Sequence, residues 1–140
     1  MSAHAGGART PAHVLIVDDE RTNRTLLEIM LEPEGYVLST ATNGDEALAM
    51  IARDAPDLVV LDVMMPGING YVVASRIKEV ARTRPVRVLM LSSLDDRNSR
   101  THGLGAGADG FLTKPVDRTE LCEKVRTMLR APTSAPGTPD

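Results

Sequence analysis

Cysteine, long apolar runs and an excess of positive charge are all scarce in this sequence. The single cysteine, Cys122, cannot form an internal disulfide, which fits a reducing compartment. No apolar run approaches the length of a membrane span, and no secretory leader pattern is present at the N-terminus. The net charge is −3, which argues against binding to a nucleic-acid backbone. We therefore expect a soluble, cytoplasmic protein with no direct contact to nucleic acid or membrane.

The two ends of the chain differ in composition from its middle. Residues 1–12 are rich in Ala, Gly, Ser and Thr, and residues 131–140 contain three of the nine prolines. Neither segment can bury much apolar surface, so both are predicted to be disordered. The remaining segment, residues 13–130, has the length of one domain. The C-terminal segment also has the composition of a linker to an output domain.

Polar side chains directly follow four separate apolar runs. An acidic pair, Asp18 and Asp19, follows the first run, Asp62 ends the second, Ser92 follows the third and Lys114 the fourth. If these runs are parallel strands, their carboxyl ends meet at one edge of one sheet, where open α/β folds bind ligands. The sequence therefore predicts a site at that edge.

Segments with helical periodicity alternate with these apolar runs. The strands are apolar along their whole length rather than at every second residue, which is typical of strands buried on both faces. Alternation of strand and helix favours a parallel sheet with right-handed crossovers. We predict five strands and five helices in a doubly wound α/β fold. The helix near residues 95–104 has the weakest apolar stripe.

The charges at the predicted edge do not balance. Asp18, Asp19 and Asp62 carry three negative charges, and each close pair costs on the order of 4 kcal/mol at an effective dielectric of about 20. Lys114 supplies only one positive charge. Carboxylates without neighbouring histidine or cysteine favour Mg²⁺ or Mn²⁺ over zinc. A divalent cation would bring the sum to zero.

A carboxylate held beside Mg²⁺ and a lysine can attack a phosphoryl group. Asp62 is the candidate nucleophile because it stands alone after its strand, whereas the acidic pair suits a metal. Taken singly, an acidic pair after a strand is more often a helix cap or a solvated turn, and a Ser or Lys there usually has no special role. Four such placements in one order favour a site.

Four segments of the chain form a recognisable set: VLIVDDE at 14–20, LVVLDVMMPGING at 58–70, VLMLSSLDD at 88–96 and GADGFLTKPV at 107–116. Together they resemble the receiver domain of two-component response regulators. The resemblance covers roughly residues 14–130 and implies a flavodoxin-like (βα)5 fold with strand order 2-1-3-4-5.

The resemblance assigns a role to each acidic residue. It implies that Asp62 is the phosphoacceptor, and that Asp19, Asp62 and the backbone carbonyl of Met64 bind Mg²⁺. Asp18 would contribute to the metal site through water. These assignments agree with the charge argument but go further, because the charges alone do not say which carboxylate is phosphorylated.

The resemblance also assigns a switch. Ser92 and Lys114 would contact the phosphoryl group, and the Lys114–Pro115 bond would be cis. Phe111, the only phenylalanine in the chain, would move with Ser92 when phosphate binds. Either Ser92 or Ser93 could supply the hydroxyl; we predict Ser92, because it directly follows the apolar run.

The implied function is a signalling module that receives phosphate from a sensor histidine kinase or a phosphotransfer protein. It acts on no diffusible substrate and catalyses only its own phosphorylation and dephosphorylation. Its effector or fused output domain is not specified by the sequence, and receivers often dimerise on phosphorylation. The rival interpretation is a phosphatase similar to the haloacid dehalogenases. Those enzymes use a D-x-D motif, which Asp18, Asp19 and Glu20 do not form.

Overall fold

The structure, a computed structural model, describes residues 11–93 and 106–130. The helix predicted near residues 95–104 and most of both predicted disordered ends lie outside the described residues. No helix in the described part of the chain is long and apolar enough to cross a bilayer. The strands are β1 (His13–Val17), β2 (Val37–Ala41), β3 (Leu58–Asp62), β4 (Arg87–Ser92) and β5 (Gly110–Thr113). The helices are α1 (Arg21–Leu31), α2 (Gly44–Arg53), α3 (Gly70–Glu79) and α4 (Arg118–Arg130), with a short 3-10 helix at Glu32–Glu34.

The five strands form one parallel sheet in the order β2-β1-β3-β4-β5. This order confirms the predicted flavodoxin-like α/β fold. The central strands β1 and β3 are buried at every residue. That burial explains why their sequences show no alternation of apolar and polar residues, since helices cover both faces.

Alternate residues of each strand point into two separate apolar layers. In β4, Val88 and Met90 belong to the layer covered by α2 and α3, whereas Leu89 and Leu91 belong to the layer covered by α1 and α4. This division follows from the two-residue period of a strand. Because the strands are parallel, all of them end at the carboxyl edge of the sheet, and the polar residues just beyond them lie near one another there.

Side-chain caps begin three of the helices. Asn43 and Asn69 accept hydrogen bonds from backbone N–H groups in the first turns of α2 and α3, at 2.8 and 3.1 Å. Asp117 accepts from the N–H of Glu120, in the first turn of α4, at 3.0 Å. Caps of this kind satisfy N–H groups that have no partner within the helix.

Candidate functional site

Three carboxylates and one ammonium group meet at the carboxyl edge of the sheet. Asp18 follows β1, Asp62 is the last residue of β3, and Lys114 follows β5. One carboxylate oxygen from each of Asp18, Asp19 and Asp62 lies within 4.8 Å of the other two. The Lys114 Nζ atom lies 2.7 Å from Asp62 Oδ1 and 3.9 Å from Asp18 Oδ2. The structure therefore brings these four predicted residues together.

Two of the carboxylates are withdrawn from water. Asp18 is 1% exposed and Asp62 is 5% exposed, whereas Asp19 is exposed. The Oδ1 atom of Asp18 accepts a hydrogen bond from the Glu20 N–H at 2.9 Å. Its Oδ2 atom is buried and has no hydrogen-bond partner within residues 11–93 and 106–130. A buried carboxylate oxygen without a hydrogen bond is costly, and a hard cation held by oxygen ligands would satisfy it.

Burial is the main influence on the pKa of Asp62. Burial raises the pKa of this carboxyl group above its ordinary value, and the negative charges of Asp18 and Asp19 raise it further. The hydrogen bond and the positive charge of Lys114 act in the opposite direction but do not cancel the rise. Independently of this pKa, three carboxylates stand beside one ammonium group, and this negative balance favours an additional cation.

The two consecutive serines after the third apolar run have different surroundings. Ser92 ends β4 and is 5% exposed, whereas Ser93 is exposed. The backbone carbonyl of Ser92 accepts a hydrogen bond from the Lys114 N–H at 2.6 Å. The Lys114–Pro115 peptide bond is cis, as the resemblance implies. Ser92 is therefore the serine that is tied to the lysine strand.

Phe111 lies on β5, three residues before Lys114. Phe111 pairs with Met90 across β4 and β5, and it packs, partly buried, on the layer covered by α2 and α3. Because Ser92 lies two residues beyond Met90, it points to the same face of the sheet as Phe111. The two residues that the sequence predicts to act together therefore lie on one face of neighbouring strands.

The loop after β3 is packed closely against the strand end. The side chain of Met64 is 70% exposed, so the residue could offer the site only its backbone. Gly70 begins α3 against the same turn, and its N–H donates to the carbonyl of Val63 at 2.9 Å. A Cβ atom at Gly70 would lie 2.6 Å from the carbonyl oxygen of Asp62. Glycine is needed here for close backbone approach.

Sequence patterns did not reveal one residue that contacts this cluster. The Nη1 atom of Arg24, on α1, donates to the backbone carbonyl of Asp18 at 2.9 Å. A side chain that binds a backbone atom six residues away leaves no motif, because any residue type can supply the carbonyl. Its position in the first turn of a helix that follows the acidic pair is the only available signal.

A sequence model described as the response regulator receiver domain matches residues 14–126. Among curated proteins, the chain is 47% identical over 119 residues to the response regulator PleD of Caulobacter vibrioides, covering 85% of this chain and 26% of PleD. It spans about half the length of several other regulators that it matches, such as 54% of MprA from Mycolicibacterium vanbaalenii, at 41% identity and 91% coverage of this chain.

Solved structures of receiver-sized chains match along nearly their whole length. A response regulator from Chloroflexus aurantiacus superposes with a TM-score of 0.83 at 36% identity, covering 86% of this chain and 98% of that one. TrrA from Thermotoga maritima, solved in complex with Mg(2+)-BeF, gives a TM-score of 0.76 at 37% identity, covering 84% and 99%. The chain therefore belongs to the response regulator receiver domain family, whose general function is to accept phosphate in two-component signalling.

Proposed function

We propose that Asp62 is the residue that accepts the phosphoryl group, and that the donor is a phosphohistidine on a sensor histidine kinase or a phosphotransfer protein. The single observation that carries this assignment is the position of Asp62. It is 5% exposed at the end of a central strand, and Lys114 contacts it at 2.7 Å. Asp18 is buried more deeply, at 1% exposed, but its Oδ1 atom already accepts a hydrogen bond from the Glu20 N–H.

Mg²⁺ is the proposed cofactor, and Mn²⁺ is a substitute with the same preference for oxygen ligands. Its ligands would be the carboxylates of Asp19 and Asp62 and the backbone carbonyl of Met64, with Asp18 contributing through water. This set is supported by the convergence of three carboxylate oxygens within 4.8 Å and by the Oδ2 atom of Asp18, which has no hydrogen bond within the described residues. When bound, the cation would neutralise charge on the phosphoryl oxygens.

In the proposed reaction, a carboxylate oxygen of Asp62 forms a P–O bond as the P–N bond of phosphohistidine breaks. The electron pair of that bond stays on the imidazole nitrogen of the donor, which takes up a proton. The Lys114 ammonium, now 2.7 Å from Asp62, would turn towards a phosphoryl oxygen. The Ser92 hydroxyl would donate to another oxygen and complete the set of contacts.

The response to phosphorylation is proposed to pass through Ser92 and Phe111. Their location on one face of neighbouring strands supports this pair. Movement of the hydroxyl towards the phosphate would let the ring of Phe111 move inward, and two discrete arrangements would then be selected by phosphate. The changed surface would contact an effector, a fused output domain or a second copy of the chain.

The module is proposed to be cytoplasmic and to comprise residues 13–130, with residues 131–140 as a tail or as a linker to a further domain. Relatives of which this chain spans about a quarter to a half support an additional domain. It would act on no diffusible substrate and would catalyse only its own phosphorylation and dephosphorylation. A phosphatase of the haloacid dehalogenase kind is the alternative that an activity assay would detect.

The experiment is to treat the protein with acetyl phosphate or beryllofluoride in the presence of Mg²⁺ and to follow its mass and chromatographic size. We expect one phosphoryl group per chain with acetyl phosphate, and none in Asp62→Asn. Asp45→Asn, which changes an exposed aspartate on α2, is the matched control and should be labelled normally. Modification that persists in Asp62→Asn would move the acceptor elsewhere, and steady turnover of a phosphomonoester would favour the phosphatase.

A paired serine experiment tests the switch. Ser92→Ala should still be phosphorylated but should lose the change in size or in amide chemical shifts that beryllofluoride causes. Ser93→Ala removes an exposed hydroxyl and should behave like the unmodified protein. The reverse result would assign the switch hydroxyl to Ser93.

A further inference from the structure

The acidic turn between β1 and α1 is held from outside the carboxylate cluster by one arginine. The Arg24 Nη1 atom donates to the backbone carbonyl of Asp18 at 2.9 Å, and the Arg24 backbone N–H donates to the carbonyl of Glu20 at 3.0 Å. These two carbonyls belong to the residues on either side of Asp19. The second bond is the main-chain bond of the first helical turn, which any residue makes, so the Arg24 side chain itself fixes the backbone just before Asp19, whose own side chain is exposed.

We propose that Arg24 is a positioning residue that orients Asp19 towards Asp18 and Asp62 and thereby sets the affinity of the site for Mg²⁺. This inference rests on the proposed function of the site. The Asp18 carboxylate is already held in position, because its side chain is buried and accepts a hydrogen bond from the Glu20 N–H. Asp19 has no such burial, so the rigidity of its backbone is what holds its carboxylate near the other two.

Arg24 affects the affinity for Mg²⁺ in two opposite ways, so the direction of the change in an Arg24 variant tests the proposal. The guanidinium carries a positive charge beside the cluster, so its removal by itself would strengthen the binding of a cation. Its hydrogen bond holds the turn, so its removal would also loosen Asp19 and weaken the binding. Partners that orient metal ligands typically change metal affinity by about 10- to 100-fold. We expect the loss of orientation to be the larger effect.

Asn23 provides a matched control in the same helical turn. Its Nδ2 atom donates to the side-chain Oε1 of Glu20 at 2.9 Å. It therefore contacts the same turn as Arg24, but through a side chain rather than through a backbone carbonyl. Asn23→Ala should leave the affinity for Mg²⁺ close to that of the unmodified chain.

The experiment measures Mg²⁺ binding to the full chain by calorimetry without any phosphate donor, for the unmodified protein, Arg24→Met, Arg24→Lys and Asn23→Ala. We expect Arg24→Met to bind Mg²⁺ about tenfold more weakly. Arg24→Lys keeps the charge and one donor and should lie between Arg24→Met and the unmodified protein. With acetyl phosphate, the half-saturating Mg²⁺ concentration should rise in Arg24→Met, while the phosphorylation rate at saturating Mg²⁺ stays unchanged.

Equal or tighter Mg²⁺ binding by Arg24→Met would overturn the proposal, since it would show that the arginine acts only as a charge. If Arg24→Met does not fold, as judged by circular dichroism, Arg24→Lys decides: affinity equal to that of the unmodified chain overturns the proposal, and weaker binding supports it. Failure of the unmodified chain to bind Mg²⁺ would instead refute the proposed function of the site.

Discussion

Two lysines at opposite ends of the same sheet each pair with an aspartate. Lys78 lies 2.9 Å from Asp109 where β4 and β5 begin, and Lys114 lies 2.7 Å from Asp62 where β3 and β5 end. The two ion pairs have similar lengths and involve the same residue types. They differ in what surrounds the aspartate, and that difference separates a structural pair from the pair at the proposed phosphorylation site.

At the beginning of the strands, the charged groups are satisfied by backbone atoms. The Lys78 Nζ atom also donates to the carbonyls of Arg84 and Val86, at 3.0 and 2.6 Å. The Oδ2 atom of Asp109 accepts from the Val88 N–H at 2.8 Å as well as from the lysine. Each charge therefore has several partners. This arrangement ties α3 to the beginnings of two strands and adds stability.

At the end of the strands, the aspartate has like charges as neighbours. Asp62 shares its surroundings with Asp18 and Asp19, and Lys114 is the cation that pairs with the carboxylates of Asp62 and Asp18. The Oδ2 atom of Asp18 has no hydrogen bond in the described part of the chain. Such a cluster destabilises the metal-free fold and strengthens the attraction for a cation. The proposed function therefore lowers stability only where the strands end, and not where they begin.

The largest expected effect on stability is at the end of the sheet where the strands begin, around the Lys78–Asp109 ion pair. Asp109→Ala should lower the free energy of unfolding by about 2 kcal/mol, because the buried Val88 N–H loses its acceptor. Urea denaturation measures this change. Glu123→Ala alters an exposed carboxylate on α4 and should change stability by less than about 0.5 kcal/mol. An equally small effect for Asp109→Ala would mean that this end does not stabilise the fold.

A smaller effect on stability, of opposite sign, is expected where the strands end, at the cluster of three carboxylates. Without divalent cations, Asp18→Asn should raise the free energy of unfolding by on the order of 1 kcal/mol, because it removes one of three clustered negative charges. Added Mg²⁺ should stabilise the unmodified chain much more than Asp18→Asn, since a ligand stabilises only the state that binds it. Thermal unfolding with EDTA or Mg²⁺ tests both statements. If Asp18→Asn is less stable than the unmodified chain in EDTA, the idea that the clustered negative charges destabilise the fold is refuted.

The smallest expected effect is a dependence on pH. Because burial and neighbouring carboxylates raise the pKa of Asp62 in the folded state, the folded chain keeps this proton where the unfolded chain has released it. Ionisation of Asp62 therefore costs stability as pH rises from the ordinary value of 3.8 through the folded value. In EDTA, the stability of Asp62→Asn relative to the unmodified chain should increase over that interval. Urea denaturation at a series of pH values would show a constant difference if this account is wrong.

The strand ends could be predicted from the sequence because an apolar run and the polar residue that follows it are neighbours in the chain. The identity of the serine that faces inward could not be predicted with the same security. Ser92 and Ser93 are adjacent and chemically identical, and only burial in the folded sheet distinguishes them. Arg24 was not predicted at all, because its partner is a backbone carbonyl and no sequence pattern records such a contact.

The sequence by itself determined the parallel α/β class, the edge of the sheet that carries the polar groups and the sign of their summed charge. These properties depend on local composition and on the order of apolar and polar residues. Only the tertiary structure decided that Lys114 reaches past the end of β4 to contact Asp62, and that Asp18 keeps an oxygen without a hydrogen bond in the described residues. Distances of this kind depend on strand register and helix packing, which join residues far apart in the chain.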